Sequence, residues 1–121
     1  MAERFTRATL GVLRDAEEVA ILTSASPERG VIIWVVVVGD AVFARSFRGP
    51  GAKWYAAAVT DGQATLALDD QRWPVGVTLV ADPAMIGEVS QAYLAKFVAS
   101  PYAKEMVRPE ILPTTLRLDP L

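Results

Sequence analysis

The chain has 121 residues, of which 52% are hydrophobic, and a net charge of -2 from 12 basic and 14 acidic side chains. That is one globular domain with a single core, and its charge does not suit bulk attraction to nucleic acid or to an anionic membrane. It contains no cysteine and no histidine, which excludes disulfides, thiolate nucleophiles, Ser-His-Asp triads and ordinary zinc sites.

In chain order, Phe5, Ala8, Val12 and Ala16 recur at helical spacing and predict a short amphipathic helix. Val19 to Thr23 reads as a strand, and Ser26-Pro27-Glu28-Arg29-Gly30 as a turn. Val31 to Val38 is apolar throughout and β-branched except at Trp34. A strand of that kind is covered on both faces, by a barrel interior on one side and by a helix or second subunit on the other. Gly39-Asp40 suits a two-residue type II′ hairpin, with Ala41 to Phe47 as the return strand. Lys53 to Thr60 predicts a helix closed by Asp61-Gly62. Two strands follow, Gln63 to Leu68 and a second that sets Trp73, Val75, Val77 and Leu79 on one face. Asp82-Pro83 starts a helix by capping residue and N1 proline, and Ile86, Val89, Tyr93 and Phe97 share its face. Tyr102 to Met106 adds a turn and Thr114 to Asp119 a last strand. The expected class is α+β, mainly β: a six-stranded antiparallel barrel decorated by helices.

The chemistry-bearing stretch is Arg45-Ser46-Phe47-Arg48-Gly49-Pro50-Gly51-Ala52-Lys53-Trp54-Tyr55. A strand ends in arginine and serine, turns through Gly-Pro-Gly, and enters a helix at lysine. Guanidinium, hydroxyl and ammonium donors thus gather beside the free N–H groups of a helix start, which is chemistry for an oxyanion such as phosphate. Spacing alone favours the plainer alternative, a solvated hairpin end. Strand alternation sets Arg45 and Ser46 on opposite faces, so they share one ligand only where the strand twists. Trp34 and Trp54 offer aromatic faces to a planar ligand, although core packing is the commoner role. The carboxylates are scattered, and no metal site is expected.

The hairpin ending in Arg45-Ser46, the Lys53-Trp54-Tyr55-Ala56-Ala57-Ala58 helix start and the closing Leu116-Arg117-Leu118-Asp119-Pro120 resemble the FMN-binding split β-barrel superfamily. That superfamily includes pyridoxamine-phosphate oxidases and deazaflavin-dependent reductases. Over about Val31 to Leu118 the chain is most similar to an uncharacterised bacterial domain-of-unknown-function family within it. The resemblance implies a split barrel, FMN or deazaflavin as cofactor, and a site at Trp34, Arg45, Ser46, Arg48, Gly49, Lys53 and Trp54. The substrate-binding histidine of the oxidases has no counterpart, which argues against vitamin-B6 oxidation.

Two functions follow. The first is a flavin- or deazaflavin-dependent oxidoreductase, with Tyr55 as the first candidate proton donor. The alternative is a non-catalytic split-barrel dimer that binds another small ligand or none. Single-strand nucleic-acid binding through the same basic and aromatic residues is disfavoured by the acidic balance. The doubly apolar Val31 to Val38 predicts a homodimer. No apolar run approaches a membrane span, and Met1-Ala2-Glu3-Arg4 lacks a leader's apolar core, so the expected location is the cytoplasm.

Overall fold

A computed structural model describes residues 4–121; Met1, Ala2 and Glu3, on which the expectation about a leader largely rests, lie outside them. Helix α1 (Arg7–Asp15) opens at Thr6, whose hydroxyl accepts from the Thr9 amide at 3.1 Å, and buries Leu10 and Leu13. Strands β1 (Val19–Thr23), β2 (Ser26–Ile33), β3 (Val35–Val38) and β4 (Ala41–Ala44) follow, then α2 (Lys53–Asp61). Next come β5 (Gln63–Leu68), β6 (Gln71–Leu79), α3 (Pro83–Lys96), 3-10 turns at Ala103–Val107 and Pro109–Thr114, and β7 (Leu116–Pro120).

The strands form one antiparallel sheet in the order β2-β1-β5-β6-β7-β4-β3. Its two end strands, β2 and β3, are separated in the chain by Trp34 alone. A flat sheet would hold them far apart, so the sheet must curl until its ends meet at that residue. The result is a half-barrel with seven strands rather than the six expected. The extra strand arises because Val31 to Val38 is not one strand. It breaks at Trp34, and its first half joins the whole Ser26–Gly30 stretch, expected to be a turn, to make β2. The tight turn lies earlier, at Ser24-Ala25.

Two apolar clusters replace the single core. Inside the curl lie Leu13, Ile21, Val35, Leu66, Val75, Leu116 and Leu118. Outside it, Val36 and Phe43 pack with Val89, Tyr93 and Phe97 of α3 and with Met106 and Ile111 of the 3-10 turns. The β3–β4 register explains the division, since Val35↔Ala44 and Val37↔Val42 alternate with Val36↔Phe43 and Val38↔Ala41. The second face of β3 is therefore covered by the chain's own α3, and this strand does not need another subunit. Gly39 takes φ +62° at the first turn position, with Val38 and Ala41 directly paired, as the predicted hairpin requires. Asp82 caps α3 by accepting from the Ala84 amide at 3.1 Å, with Pro83 at the first helical position.

Candidate functional site

Strand β4 stops at Ala44, earlier than alternation suggests, because the next two residues turn inward. Arg45 is 1% exposed. Its Nε donates to Thr115 Oγ1 at 2.8 Å, Nη1 to Ser90 Oγ and Met106 O at 2.9 Å each, and Nη2 to Ile86 O at 2.8 Å. Four of the five guanidinium N–H groups are thus spent on the protein. The Tyr93 ring lies 5.6 Å from the guanidinium carbon. Burial pulls the Arg45 pKa down, partly offset by Tyr93. Among the described residues no carboxylate lies within ion-pair distance of Arg45.

Ser46 is fully buried and works on the loop itself. Its amide donates to Thr114 Oγ1 at 3.0 Å, and its hydroxyl donates to Gly49 O at 2.6 Å. Gly49, at φ +84°, returns its amide to Ser46 O at 3.0 Å. This closed turn delivers the chain to α2, whose N-cap residue, Ala52, offers no side-chain cap. The first N–H groups of α2 therefore keep their capacity to donate. Gly62 ends the helix in the left-handed conformation at φ +69°.

Beside this junction lies a cleft of about 690 Å³. Its walls are largely apolar: Val31, Ile32 and Ile33 of β2, then Trp34, Ala52, Trp54 and Met106. Phe47 and Tyr102, 45% and 58% exposed, are its exposed aromatic residues, and their rings meet edge to face. Arg108 stacks on Phe47 at 5.1 Å and donates to its carbonyl. Arg45, Arg48 and Glu18 are the charged residues of the lining.

Of the seven residues expected at a site, Trp34, Arg45, Arg48 and Trp54 line this cleft. Ser46, Gly49 and Lys53 do not; the first two shape the loop, and Lys53 is exposed at the helix start. Trp34 combines two of the weighed roles, since it lines the cleft and also stacks on Phe97 at 4.0 Å. Tyr55 is buried with the inner core rather than on the cleft lining, and burial raises its pKa. Tyr93 packs in the core with its hydroxyl donating to Trp34 O at 2.7 Å, whereas Tyr102 is on the cleft. Arg117 on β7 pairs with Asp119 at 3.0 Å.

Sequence reasoning missed Glu18 and Lys96. Glu18 reaches both the main cleft and an adjoining lobe of about 310 Å³, shared with Glu17, Trp34, Lys96, Phe97 and Ser100. Burial pushes the Lys96 pKa down to about 8, against the upward pull of Asp15 and Glu17. Unfolded, this lysine keeps its proton to near the ordinary lysine value, so between the two values the unfolded state binds more protons. Stability should therefore rise as pH climbs from 8 towards 10, until the tyrosines held neutral by burial reverse the trend. Urea unfolding at several pH values checks this, and Lys96→Met should lack the rise. Among the described residues no three carboxylates gather where they could hold a metal, and no helix is long and apolar enough to cross a membrane.

The family described as "Uncharacterized protein conserved in bacteria (DUF2255)" matches residues 9–118. The chain belongs to this family. No curated protein matches this DUF2255 member in sequence. Among solved structures, it is similar to conserved hypothetical protein Rv2991 from Mycobacterium tuberculosis, with a TM-score of 0.68 at 10% identity over 100% of this chain and 83% of that one. A putative general stress protein 26 from Jannaschia sp. CCS1 gives 0.61 at 15% identity, over 92% and 70% of the two chains. The FAD binding protein from Mycobacterium smegmatis gives 0.56 at 19% identity, over 98% and 91%. At these identities the likeness is one of fold.

Proposed function

We propose that this DUF2255 chain is a split-barrel oxidoreductase that binds a flavin or deazaflavin, FMN being the simplest, in the main cleft. The observation that carries the reading is a tryptophan-walled apolar cleft with Arg48 in its lining and an uncapped helix start beside it. A planar ring needs aromatic and aliphatic walls, and its phosphate needs fixed donors and positive charge. The fold shared with a mycobacterial FAD binding protein supports the same class of ligand.

The residues present fit such a group. Trp34, Trp54, Ile33 and Met106 would wall the ring and exclude water from it. Arg48 and the first amides of α2 would hold the phosphate, with the exposed Lys53 adding positive charge at the helix start, while Ser46 and Gly49 fix the loop that presents them. Arg45 contributes its buried charge and one unspent N–H rather than a free fork. When bound, the flavin supplies hydride transfer, which the side chains lack on their own. Tyr55 is placed away from any such transfer by its burial in the inner core. Val31 and Ile32, 38% and 59% exposed on the edge strand, are the surface on which a homodimer would form.

FMN and a deazaflavin titrated into purified protein should bind at micromolar levels with a change in visible absorbance. Arg48→Ala should weaken that binding roughly tenfold, about 1.4 kcal/mol, without altering the unfolding transition. Binding of neither cofactor would favour the non-catalytic split barrel. Sedimentation of the same samples reads the dimer.

A further inference from the structure

The lobe beside the main cleft contains an amine that the flavin reading does not use. Lys96, the last residue of α3, sends Nζ to Val35 O at 2.7 Å and to Leu13 O at 3.0 Å. The first acceptor belongs to an edge strand, and the second is one of the unsatisfied carbonyls at the end of α1. Nζ also lies 5.2 Å from the centre of the Phe97 ring. Among the described residues no carboxylate comes within ion-pair distance of it.

A neutral amine has two N–H groups and one lone pair. Here two backbone carbonyls take both N–H groups, which leaves the lone pair as the unsatisfied position of a side chain that lines the lobe. We propose that Lys96 is a nucleophilic amine that captures a small, uncharged aldehyde or ketone in the lobe between α3 and the α1–β1 link. The lone pair forms a C–N bond to the carbonyl carbon, and the displaced π pair takes a proton on oxygen. A second proton on that oxygen lets it leave as water, and the nitrogen, having given up both of its protons, is left as the imine. Atoms and charge balance as amine plus carbonyl giving imine plus water, and no oxidant enters. Glu17 and Glu18, both on the lobe, are the carboxylates available to carry these protons.

The ligand class follows from the lining. Trp34 and Phe97 offer a stacked apolar surface, whereas Glu17 and Glu18 repel an anionic carbonyl compound such as a keto acid. Charge around Nζ comes from Asp15 on α1 and from Glu17 and Glu18 on the link, while β3 presents the Val35 carbonyl. Burial outweighs these acids and sets the pKa at about 8. Roughly a tenth of the amine is then free at pH 7, several hundred times the fraction in an ordinary lysine.

The chain's lysines are Lys53, Lys96 and Lys104, of which the first and last are exposed. Full-length protein without added flavin is treated with benzaldehyde and cyanoborohydride, and the reduced adducts are located by peptide mass mapping. Lys96 should be labelled at least tenfold faster than Lys53 or Lys104, with a rate that is half-maximal near pH 8 and levels off about one pH unit higher. Glyoxylate, the anionic probe, should lose that selectivity. Labelling of Lys96 at or below the rate of the exposed lysines would overturn the proposal and leave it a clamp between α1 and β3. Because no flavin is used, this result is independent of whether one binds.

Discussion

Arg45→Ala is expected to lower the free energy of unfolding by about 3–5 kcal/mol. The guanidinium bonds residues from α3, from the first 3-10 turn and from the approach to β7, at Ile86, Ser90, Met106 and Thr115. Truncation removes a donor from Ile86 O, Met106 O, Ser90 Oγ and Thr115 Oγ1 together and opens a cavity beside Tyr93. Arg45→Lys should recover only part of the loss, because three N–H groups on a point charge cannot span four acceptors placed around a planar fork. Chemical denaturation measures both. A change below about 1 kcal/mol in Arg45→Ala would mean the network contributes little net stability.

The second large effect is at Gly30, where alanine should cost roughly 3 kcal/mol or more. Its φ is +70°, and an added Cβ would stand 2.6 Å from the Ile21 carbonyl oxygen and 3.0 Å from its carbon. Those are backbone atoms of the neighbouring strand and cannot swing aside as a side chain would. Gly30 also sits where β2 departs from regular pairing, between Ile21↔Val31 and Thr23↔Ser26, with its amide on Ser26 Oγ at 3.1 Å. Gly39→Ala is the control: its φ is +62°, yet nothing lies within 4 Å of the added carbon. That change should cost only the backbone strain, about 1–2 kcal/mol. Equal losses at the two positions would show that the contact with Ile21 relaxes.

Features with a local cause were legible in the sequence. Asp82-Pro83 announces α3, Asp61-Gly62 ends α2, and Gly39-Asp40 closes a hairpin, each through chemistry confined to a few residues. The break at Trp34 has no such cause. Its flanks are uniformly β-branched, and the bend is imposed by closure of the sheet and held by Tyr93 and Phe97, some sixty residues away. Arg45 was recognisable as important but not as an internal clamp, because its acceptors lie between residues 86 and 115 and only the folded chain assembles them. Glu18 and Lys96 stayed hidden for the same reason. A glutamate before a strand and a lysine at a helix end look like ordinary solvated charges until the topology sets them around one lobe.

Because the curl brings its two ends together at Trp34, both open edges of the sheet belong to one continuous stretch, residues 26–38. An unpaired strand edge is a template for another chain, and this stretch contains the most apolar and β-prone run in the protein. Its guards are local. Pro27 and the irregular pairing near Gly30 spoil the template on β2, while β3 is only four residues long and has its Val35 carbonyl occupied by Lys96. Resistance to fibre formation is thus concentrated at a few positions. Replacing Pro27 or freeing the Val35 carbonyl would expose a ready nucleus for cross-β stacking even in a variant that still folds.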